Sequence, residues 1–356
     1  MEHTSWNRTM KLIKDSYNQI SVHGKPLFIP ISMIKGEYSK VLPKDYLNAC
    51  KFFGITLIDR TQTLDDGIGF SVLDKMIYGS TEKSFEEISL ERAENILNNA
   101  LQTNRNIRLL WSGGIDSTTA LLALYIKAKE KSCLEKIKVL LTKHSIDEFE
   151  NFYTQIIQKE LNYKLITPPI YTYMNPKEIM VTGELGDQLF GSDFLESYIK
   201  ENLHNTPYEN ILPQIASTKL GSSKEAESML NYLQVQIQKS PIAIVSLYDY
   251  IWWLNYSMKW QFVTFRILSR MIEQKIPYQI EDNMIHFFQN QDFQEWALRK
   301  NNFKIKEDWK SYKYIAKAFI HKYFEDEAYF IYKTKEQSLQ NVSRNESFSF
   351  LHKEEV

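Results

Sequence analysis

The sequence predicts an α/β fold with a parallel sheet and a mostly helical C-terminal part. Short apolar runs alternate with helix-length stretches between about residues 90 and 190, the pattern of strands joined by crossover helices. Such crossovers make neighbouring strands parallel and place helices on both faces of the sheet. From Tyr208 onward the apolar spacing is mostly helical.

Residues 1–85 differ from the rest of the chain, and we expect them to form a small mixed α/β domain. Apolar runs at residues 26–31 and 55–58 are separated by turn-forming residues, which is typical of short strands. The remaining residues, 86–356, are expected to form the second domain. That domain begins with a helix for which Ser89 is the predicted N-cap.

The later elements follow in chain order. Three apolar runs predict buried strands at residues 107–111, 136–142 and 179–182. Helical spacing follows the first two of these and predicts helices over residues 115–129 and 149–161. Further helices are predicted in the C-terminal part at residues 225–239, 241–258 and 307–323.

The composition excludes several classes of protein. With 43 basic and 44 acidic residues the net charge is −1, so we expect no nucleic acid partner and no anionic membrane partner. Cys50 and Cys133 lack the spacing of a disulfide framework or a zinc site. Residues 241–258 are apolar but contain Asp249 and Asn255, which favours a buried helix over a membrane span. We therefore expect a cytoplasmic protein.

Gly113 and Gly114 form a turn between the first of these strands and its helix. Only 12 residues of the chain are glycine, so a cluster indicates a backbone that must approach something closely. A phosphate bound at the end of a parallel strand needs such a turn, amide donors and a helix N-terminus. The candidate donors are the amides of residues 115–118 and the hydroxyls of Ser112, Ser117 and Thr118.

Asp116 is unexpected in a phosphate-binding turn. Its carboxylate would repel phosphate unless a cation lies between them, so it predicts a bridging Mg²⁺. The alternative is a tight strand-helix turn with a capping aspartate.

A second glycine-rich segment, residues 182–191, follows the strand predicted at residues 179–182. Glu184 and Asp187 are three positions apart, so a helical turn would direct both to one side. We expect Asp187 to complete a magnesium site with Asp116, and Glu184 to face a substrate. A capped helix start with surface acids is the alternative.

The two segments resemble motifs of known families. The string Ser112-Gly113-Gly114-Ile115-Asp116-Ser117 resembles the PP-loop of the ATP pyrophosphatases, and it lacks the lysine of a P-loop. Residues 182–191 resemble the Gly-Glu-Gly-Ser-Asp-Glu-Leu-Phe-Gly-Gly string of the asparagine synthetase family, which includes β-lactam synthetase and the lasso peptide cyclases. The match departs from that string at Leu185, Gly186, Gln188 and Ser192.

The resemblance covers roughly residues 90–340 and implies a sheet of the adenine nucleotide α-hydrolase (PP-loop, HUP-like) type. It implies Asp116 and Asp187 as magnesium ligands and Glu184 as a catalytic residue near the acceptor amine, a candidate general base. It implies that ATP is bound by Leu110, Ser112, Gly113, Gly114, Ile115, Asp116, Ser117, Thr118 and Gly183.

A weaker resemblance lies near the C-terminus. Family members carry a helix with spaced basic residues and then an Arg-x-Lys string; residues 332–336 are similar to that string, with Lys333 in place of the arginine. Lys335 is therefore the second catalytic candidate, placed to stabilise charge on the α phosphate and the leaving pyrophosphate. A solvated helix face is the alternative for any one of these lysines. Residues 275–282 are either faintly similar to a Pro-Phe-Leu-Asp string of the family or an ordinary loop.

Glutamine-dependent members of the family begin with a cysteine nucleophile, whereas this sequence begins Met1-Glu2-His3-Thr4. We therefore expect no glutaminase activity. The nitrogen nucleophile is then free ammonia, an amine of the substrate, or ammonia from a partner protein.

Together these features imply an ATP-dependent, AMP-forming amide ligase that uses Mg²⁺ and acts on a small-molecule or peptide carboxylate. A macrolactam-forming peptide cyclase, with a partner protein that delivers the precursor, is one alternative. A PP-loop enzyme that modifies tRNA and a nucleotide-binding protein without chemistry are the others.

Overall fold

The computed structural model describes residues 21–22, 25–29, 31, 34, 37–167, 170–173, 175, 177–265, 283–299 and 304–335. These residues form two compact units. The first unit contains the described residues up to Tyr78 together with residues 191–265, and the sheet unit contains Gly79–Phe190 together with the described residues from 283 to 335. This grouping differs from the boundary predicted between residues 85 and 86, because residues 191–265 pack with the N-terminal segment.

The strands confirm a parallel α/β architecture. The strands of the described residues are β1 Ser21–Val22, β2 Lys25–Pro26, β3 Ile107–Trp111, β4 Ile137–Leu141, β5 Asn162–Leu165, β6 Ile179–Thr182 and β7 Met284–His286. The first two form an antiparallel pair in the first unit, and the other five form one parallel sheet in the order β5-β4-β3-β6-β7. The sequence pattern misses β5, whose residues are all exposed, and β7, which is three residues long.

The helices occupy both units. Those of the described residues are α1 Lys44–Phe53, α2 Phe85–Gln102, α3 Ile115–Glu130, α4 Lys143–Glu148, α5 Glu150–Phe152, α6 Gln158–Glu160, α7 Gly186–Phe190, α8 Glu196–Lys200, α9 Tyr208–Leu220, α10 Ser223–Ile237, α11 Leu247–Met258, α12 Trp260–Phe265, α13 Gln291–Ala297, α14 Tyr314–Tyr323 and α15 Glu327–Tyr332. A π-helical segment, Tyr153–Ile157, joins α5 to α6.

The centre of the sheet contains a switch in strand order. The chain runs from β3 outward to β4 and β5 on one side, and then returns to place β6 on the other side of β3. Leu110 pairs with Thr182, so β3 and β6 end at the same edge. In open parallel sheets the crevice at such a switch point is where ligands bind, because the connections diverge to opposite faces there.

The helix that enters the sheet unit begins earlier than predicted. Ser84, not Ser89, is the N-cap of α2: its hydroxyl accepts from the Glu87 amide while the Glu87 carboxylate accepts from the Ser84 amide. This reciprocal capping box satisfies two amides that have no partner within the helix. Ser89 lies inside the helix, is buried, and donates its hydroxyl to the carbonyl of Phe85.

Phe85 anchors the core of the sheet unit. Its ring contacts five other aromatic rings at centroid distances between 5.3 and 6.5 Å. Edge-to-face and tilted contacts of this kind add to the free energy gained by burying the rings. The five partners are Phe190, Phe288, Phe293, Trp296 and Phe319.

The helix predicted at residues 307–323 is interrupted. A short 3₁₀ turn covers Trp309–Ser311, and α14 begins only at Tyr314. Between them Lys313 adopts a left-handed backbone conformation, with φ 59°. The break gives the Lys313 side chain a direction that a continuous helix would not give it.

In the first unit α11 begins at Leu247, six residues later than the sequence predicts, and nearly all of its residues are buried, as the apolar pattern predicts. Ser246 and Asp249 form its capping box, and Trp252, Trp253 and Tyr256 are fully buried. Within the described residues, no helix is both long enough and apolar enough to cross a membrane.

Candidate functional site

The turn after β3 is forced into a shape that requires glycine. Gly113 has φ 82°, and a Cβ atom there would lie 2.5 Å from the carbonyl oxygen of Ser145. Gly114 is the N-cap of α3, so the first amides of that helix face the turn. This is the backbone arrangement from which helix N-termini bind anions.

The hydroxyls of the turn fall into two groups. The Ser112 and Ser117 hydroxyls lie 3.0 Å apart, the Ser117 hydroxyl accepts from the Ser112 amide, and the Gly114 amide donates to the Ser112 hydroxyl. Thr118 is fully buried and its hydroxyl accepts from the Trp111 indole at 3.0 Å. The two serines therefore shape the turn, whereas Thr118 fastens α3 to the end of β3. Leu110 is buried within β3.

The turn after β6 lies directly against the first turn. A Cβ atom on Gly183 would come 2.7 Å from the backbone nitrogen of Ser117, and one on Gly186 would come 2.3 Å from Cγ of Asp116. Only hydrogen fits at either position without a shift of the neighbouring atoms. The two glycines therefore allow the ends of β3 and β6 to bring Asp116 and Asp187 together.

Leu185 carries backbone strain in the second turn. It is buried and has φ 74°, a conformation that a branched side chain rarely adopts. The asparagine synthetase string that the sequence resembles has glycine at this position. Strain of this kind is typical of functional sites, where the surrounding structure holds it in place.

Two lysines join the aspartates into one cluster, which we call the aspartate-lysine cluster: Asp116, Asp187, Lys313 and Lys335. The Lys313 ammonium lies 2.5 Å from Asp116 Oδ2 and 2.7 Å from Asp187 Oδ1. The Lys335 ammonium lies 2.7 Å from Asp187 Oδ2. The Lys313 side chain is only 1% exposed, while the aspartates are 22% and 29% exposed.

The electrostatics of the two aspartates differ. Burial raises the pKa of Asp116, an effect that the Lys313 ammonium opposes and the neighbouring Asp187 carboxylate reinforces. Burial acts on Asp187 in the same direction, but Lys313 and Lys335 outweigh it and hold the pKa of Asp187 well below its usual value. Burial would lower the pKa of Lys313, yet the two carboxylates outweigh it and raise that pKa. Asp187 is therefore the more firmly ionised of the pair.

Residues 329–335, which we call the C-terminal strap, hold Lys335 in place. The Tyr329 hydroxyl donates to the Gly113 carbonyl, and its ring stacks on Phe149 with centroids 3.7 Å apart. The Lys333 ammonium lies 2.9 Å from the buried Glu148 carboxylate. Lys317 donates to the Lys333 carbonyl. The strap thus ties the first glycine turn to Lys335.

Glu184 lies on the second turn and is buried, with 5% of its surface exposed. Its amide donates to the Thr182 hydroxyl, which in turn lies 2.7 Å from Nδ1 of His286 on β7. These contacts fix the backbone on which the Glu184 side chain stands.

The cluster fits a magnesium ion that also binds phosphate. Mg²⁺ is commonly held by one or two carboxylates together with phosphate oxygens and water, and not by a complete cage of protein ligands. Oδ1 of Asp116 is buried and has no hydrogen-bond partner among the described residues, which leaves that oxygen to serve as a ligand. In the part of the chain that the structure describes, no group of three or more histidine, cysteine or acidic side chains is arranged to hold a metal. Asp116 and Asp187 would therefore need oxygens from elsewhere to complete a metal shell.

The structure brings Asp116, Asp187 and Lys335 together and adds Lys313 to them. The sequence predicts Lys313 only as one of the spaced basic residues of a helix and assigns it no role, whereas the structure places it between the two aspartates. The available signal is indirect: lysine at a helix break between two tyrosines. Residues 275–282 lie outside the described residues.

The fold and the site define a parallel α/β protein whose sheet carries two interlocked glycine turns and an aspartate-lysine cluster at its switch point. No model of a known protein family matches the chain. A comparison with curated proteins also gives no match.

Proposed function

We propose that this protein is an ATP-dependent, AMP-forming amide ligase of the asparagine synthetase type, with a PP-loop sheet. ATP and a carboxylate are its substrates, and an amine or ammonia is the acceptor. The observation that carries the proposal is the meeting of Asp116 and Asp187, from two adjacent strand ends, at a glycine turn that begins a helix.

The first turn supports the phosphate-binding part of the proposal. The N-terminus of α3 offers backbone amides directly after Gly113 and Gly114, the arrangement from which a helix binds an anion. Magnesium, when bound by Asp116 and Asp187, would neutralise charge on the polyphosphate. Asp187 is suited to that role because its pKa is held low and it stays ionised.

In the first step an oxygen of the substrate carboxylate bonds to the α phosphorus, and the bond from that phosphorus to the β-bridging oxygen breaks. Pyrophosphate leaves with the electron pair. Lys335, whose ammonium group contacts Asp187, would stabilise the charge that develops on the departing oxygens.

In the second step the amine nitrogen bonds to the acyl carbon and AMP leaves. The amine gives up one proton, and Glu184 is the candidate base that receives it. Holding the reactants in line on rigid strand ends supplies the rest of the acceleration.

The test measures carboxylate-dependent exchange of labelled pyrophosphate into ATP, using a panel of amino acid, peptide and small organic carboxylates. Asp116→Asn and Asp187→Asn should each abolish exchange. Asp147→Asn, an exposed acid on α4, is the matched control and should exchange like the wild type. Exchange that survives both substitutions in the cluster would overturn the proposal.

One observation favours a second candidate, a nucleotide-binding protein without chemistry. Lys313 already pairs with both carboxylates, so these charges are satisfied without a metal. ATP binding by calorimetry, with neither exchange nor AMP release for any carboxylate in the panel, would favour this candidate.

A further inference from the structure

Lys313 is held between the aspartates by an unusual local structure. Its backbone has φ 59°, its amide donates to the Lys304 carbonyl, and its side chain is 1% exposed. Other non-glycine residues with positive φ include Asn104 and Asn202, a residue type that tolerates this conformation well. A buried lysine does not, so the chain accepts local strain to deliver one ammonium to this point.

The aspartate-lysine cluster is balanced in charge. Two carboxylates face two ammonium groups, and Lys313 contacts both carboxylates. A divalent cation entering alone would add two positive charges beside two buried or half-buried ammonium groups. In a site of low dielectric that repulsion is strong.

A metal that enters with a polyphosphate meets a different situation. The phosphates bring more negative charge than the metal brings positive charge, so the ammonium groups gain new partners as they leave the carboxylates. Oδ1 of Asp116, buried and unpartnered among the described residues, is already available as a metal ligand.

We propose that Lys313 is a built-in counter-cation that keeps divalent metals off Asp116 and Asp187 until a polyphosphate arrives, and then exchanges the carboxylates for phosphate oxygens. This inference rests on the proposed function, because it assigns an order of binding to the same site. Lys335, which contacts Asp187, shares this task.

The experiment measures binding of Mn²⁺, a metal that accepts the same oxygen ligands as Mg²⁺, by electron paramagnetic resonance without nucleotide. Lys313→Met should bind Mn²⁺ at least about tenfold more tightly than the wild type, because it removes one positive charge and frees both carboxylates. Lys313→Met combined with Asp116→Asn should lose that gain. Lys322→Met, which removes an exposed lysine of α14, is the matched control and should bind like the wild type.

The outcomes separate this inference from the proposed function. If Lys313→Met binds free Mn²⁺ no more tightly than the wild type, the inference is overturned. That result says nothing about ATP binding, which is measured separately by calorimetry. A protein that shows the gain with Mn²⁺ but binds no ATP would retain the blocking role of Lys313 and sink the proposed function.

Removing Lys313 leaves two carboxylates without their shared cation, so folding is checked by circular dichroism. If Lys313→Met does not fold, Lys335→Met carries the test, because Lys335 is more exposed and contacts Asp187. Its expected gain in Mn²⁺ affinity is in the same direction but smaller, and no gain in that variant would overturn the inference.

Discussion

Two acidic sites in this molecule are built in different ways. In the first unit, the Asp59 carboxylate accepts from the amides of Thr61, Thr63 and Leu64, from two threonine hydroxyls and from the Gln236 amide. In the sheet unit, Asp116 and Asp187 are held by ammonium groups.

The difference separates an acid that is held by neutral donors from acids that are paired with ammonium groups. Most of the donors to Asp59 belong to residues 61–64, so they are fixed by the adjacent backbone. Ammonium groups at the end of flexible side chains can exchange a carboxylate for another anion. Arg60 follows the structural pattern too: it donates to the carbonyls of Asp74, Lys75 and Tyr256 and lies over the Trp260 ring.

The largest expected effect is on the stability of the sheet unit. Lys313→Met should lower the free energy of unfolding by about 3–5 kcal/mol, because it leaves carboxylates without their buried partner. Urea denaturation measures the loss. Lys322→Met, at an exposed ion pair, should change stability by less than about 1 kcal/mol. Equal losses of stability in the two variants would contradict the difference between a buried and an exposed ion pair.

The same substitution, aspartate to asparagine, should affect activity at one site and stability at the other. If the proposed function holds, Asp187→Asn should reduce AMP formation by about a hundredfold or more, since it removes a carboxylate that would hold Mg²⁺ at the polyphosphate. Asp59→Asn should leave AMP formation unchanged and instead lower stability by about 1–3 kcal/mol, through lost hydrogen bonds in a buried turn. A variant of Asp59 that folds normally but loses activity would contradict the assignment.

One glycine from each unit, Gly183 and Gly54, allows the two units to be compared by the same substitution. Gly183→Ala would place a Cβ atom 2.7 Å from the Ser117 nitrogen, so it should cost about 1–3 kcal/mol in stability and weaken ATP binding. Gly54 in the first unit has φ 66° and open space around it, so Gly54→Ala should cost only about 1 kcal/mol and leave ATP binding intact. Thermal unfolding and calorimetry measure the two effects.

The smallest effect concerns pH and lies in the first unit. His204 is buried, and neither ring nitrogen has a hydrogen-bond partner among the described residues. Burial lowers the pKa of His204, so below pH 6.5 the unfolded chain takes up a proton that the folded chain refuses. Stability should therefore fall as pH falls below 6.5, by up to about 1.4 kcal/mol per pH unit. In His204→Phe that part of the pH dependence should disappear, and an unchanged pH profile would contradict it.

The sequence predicts the centre of the sheet well, because apolar runs at β3, β4 and β6 have a single simple cause, burial on both faces. The two glycine turns are also predictable, since glycine is scarce and each cluster follows a strand. Asp116 and Asp187 meet because parallel strands end together, and that follows from topology alone.

Other features depend on distant contacts that no local pattern reveals. The start of α2 at Phe85 depends on a capping box and on an aromatic core that includes Trp296. The position of Lys313 depends on a break in a helix that the apolar spacing predicts to be continuous. The domain grouping depends on residues 191–265 packing with the N-terminal segment, and a single sequence carries no sign of that long return.

The members of the aspartate-lysine cluster are far apart along the chain, so they are synthesised at different times. Asp116 and Lys313 are 197 positions apart along the chain, so at typical translation rates the acid leaves the ribosome roughly ten to forty seconds before its cation. During that interval β3, α3 and the first turn are available to fold while their carboxylate still faces water. The ion pairs of the aspartate-lysine cluster can therefore form only late in the synthesis of the chain.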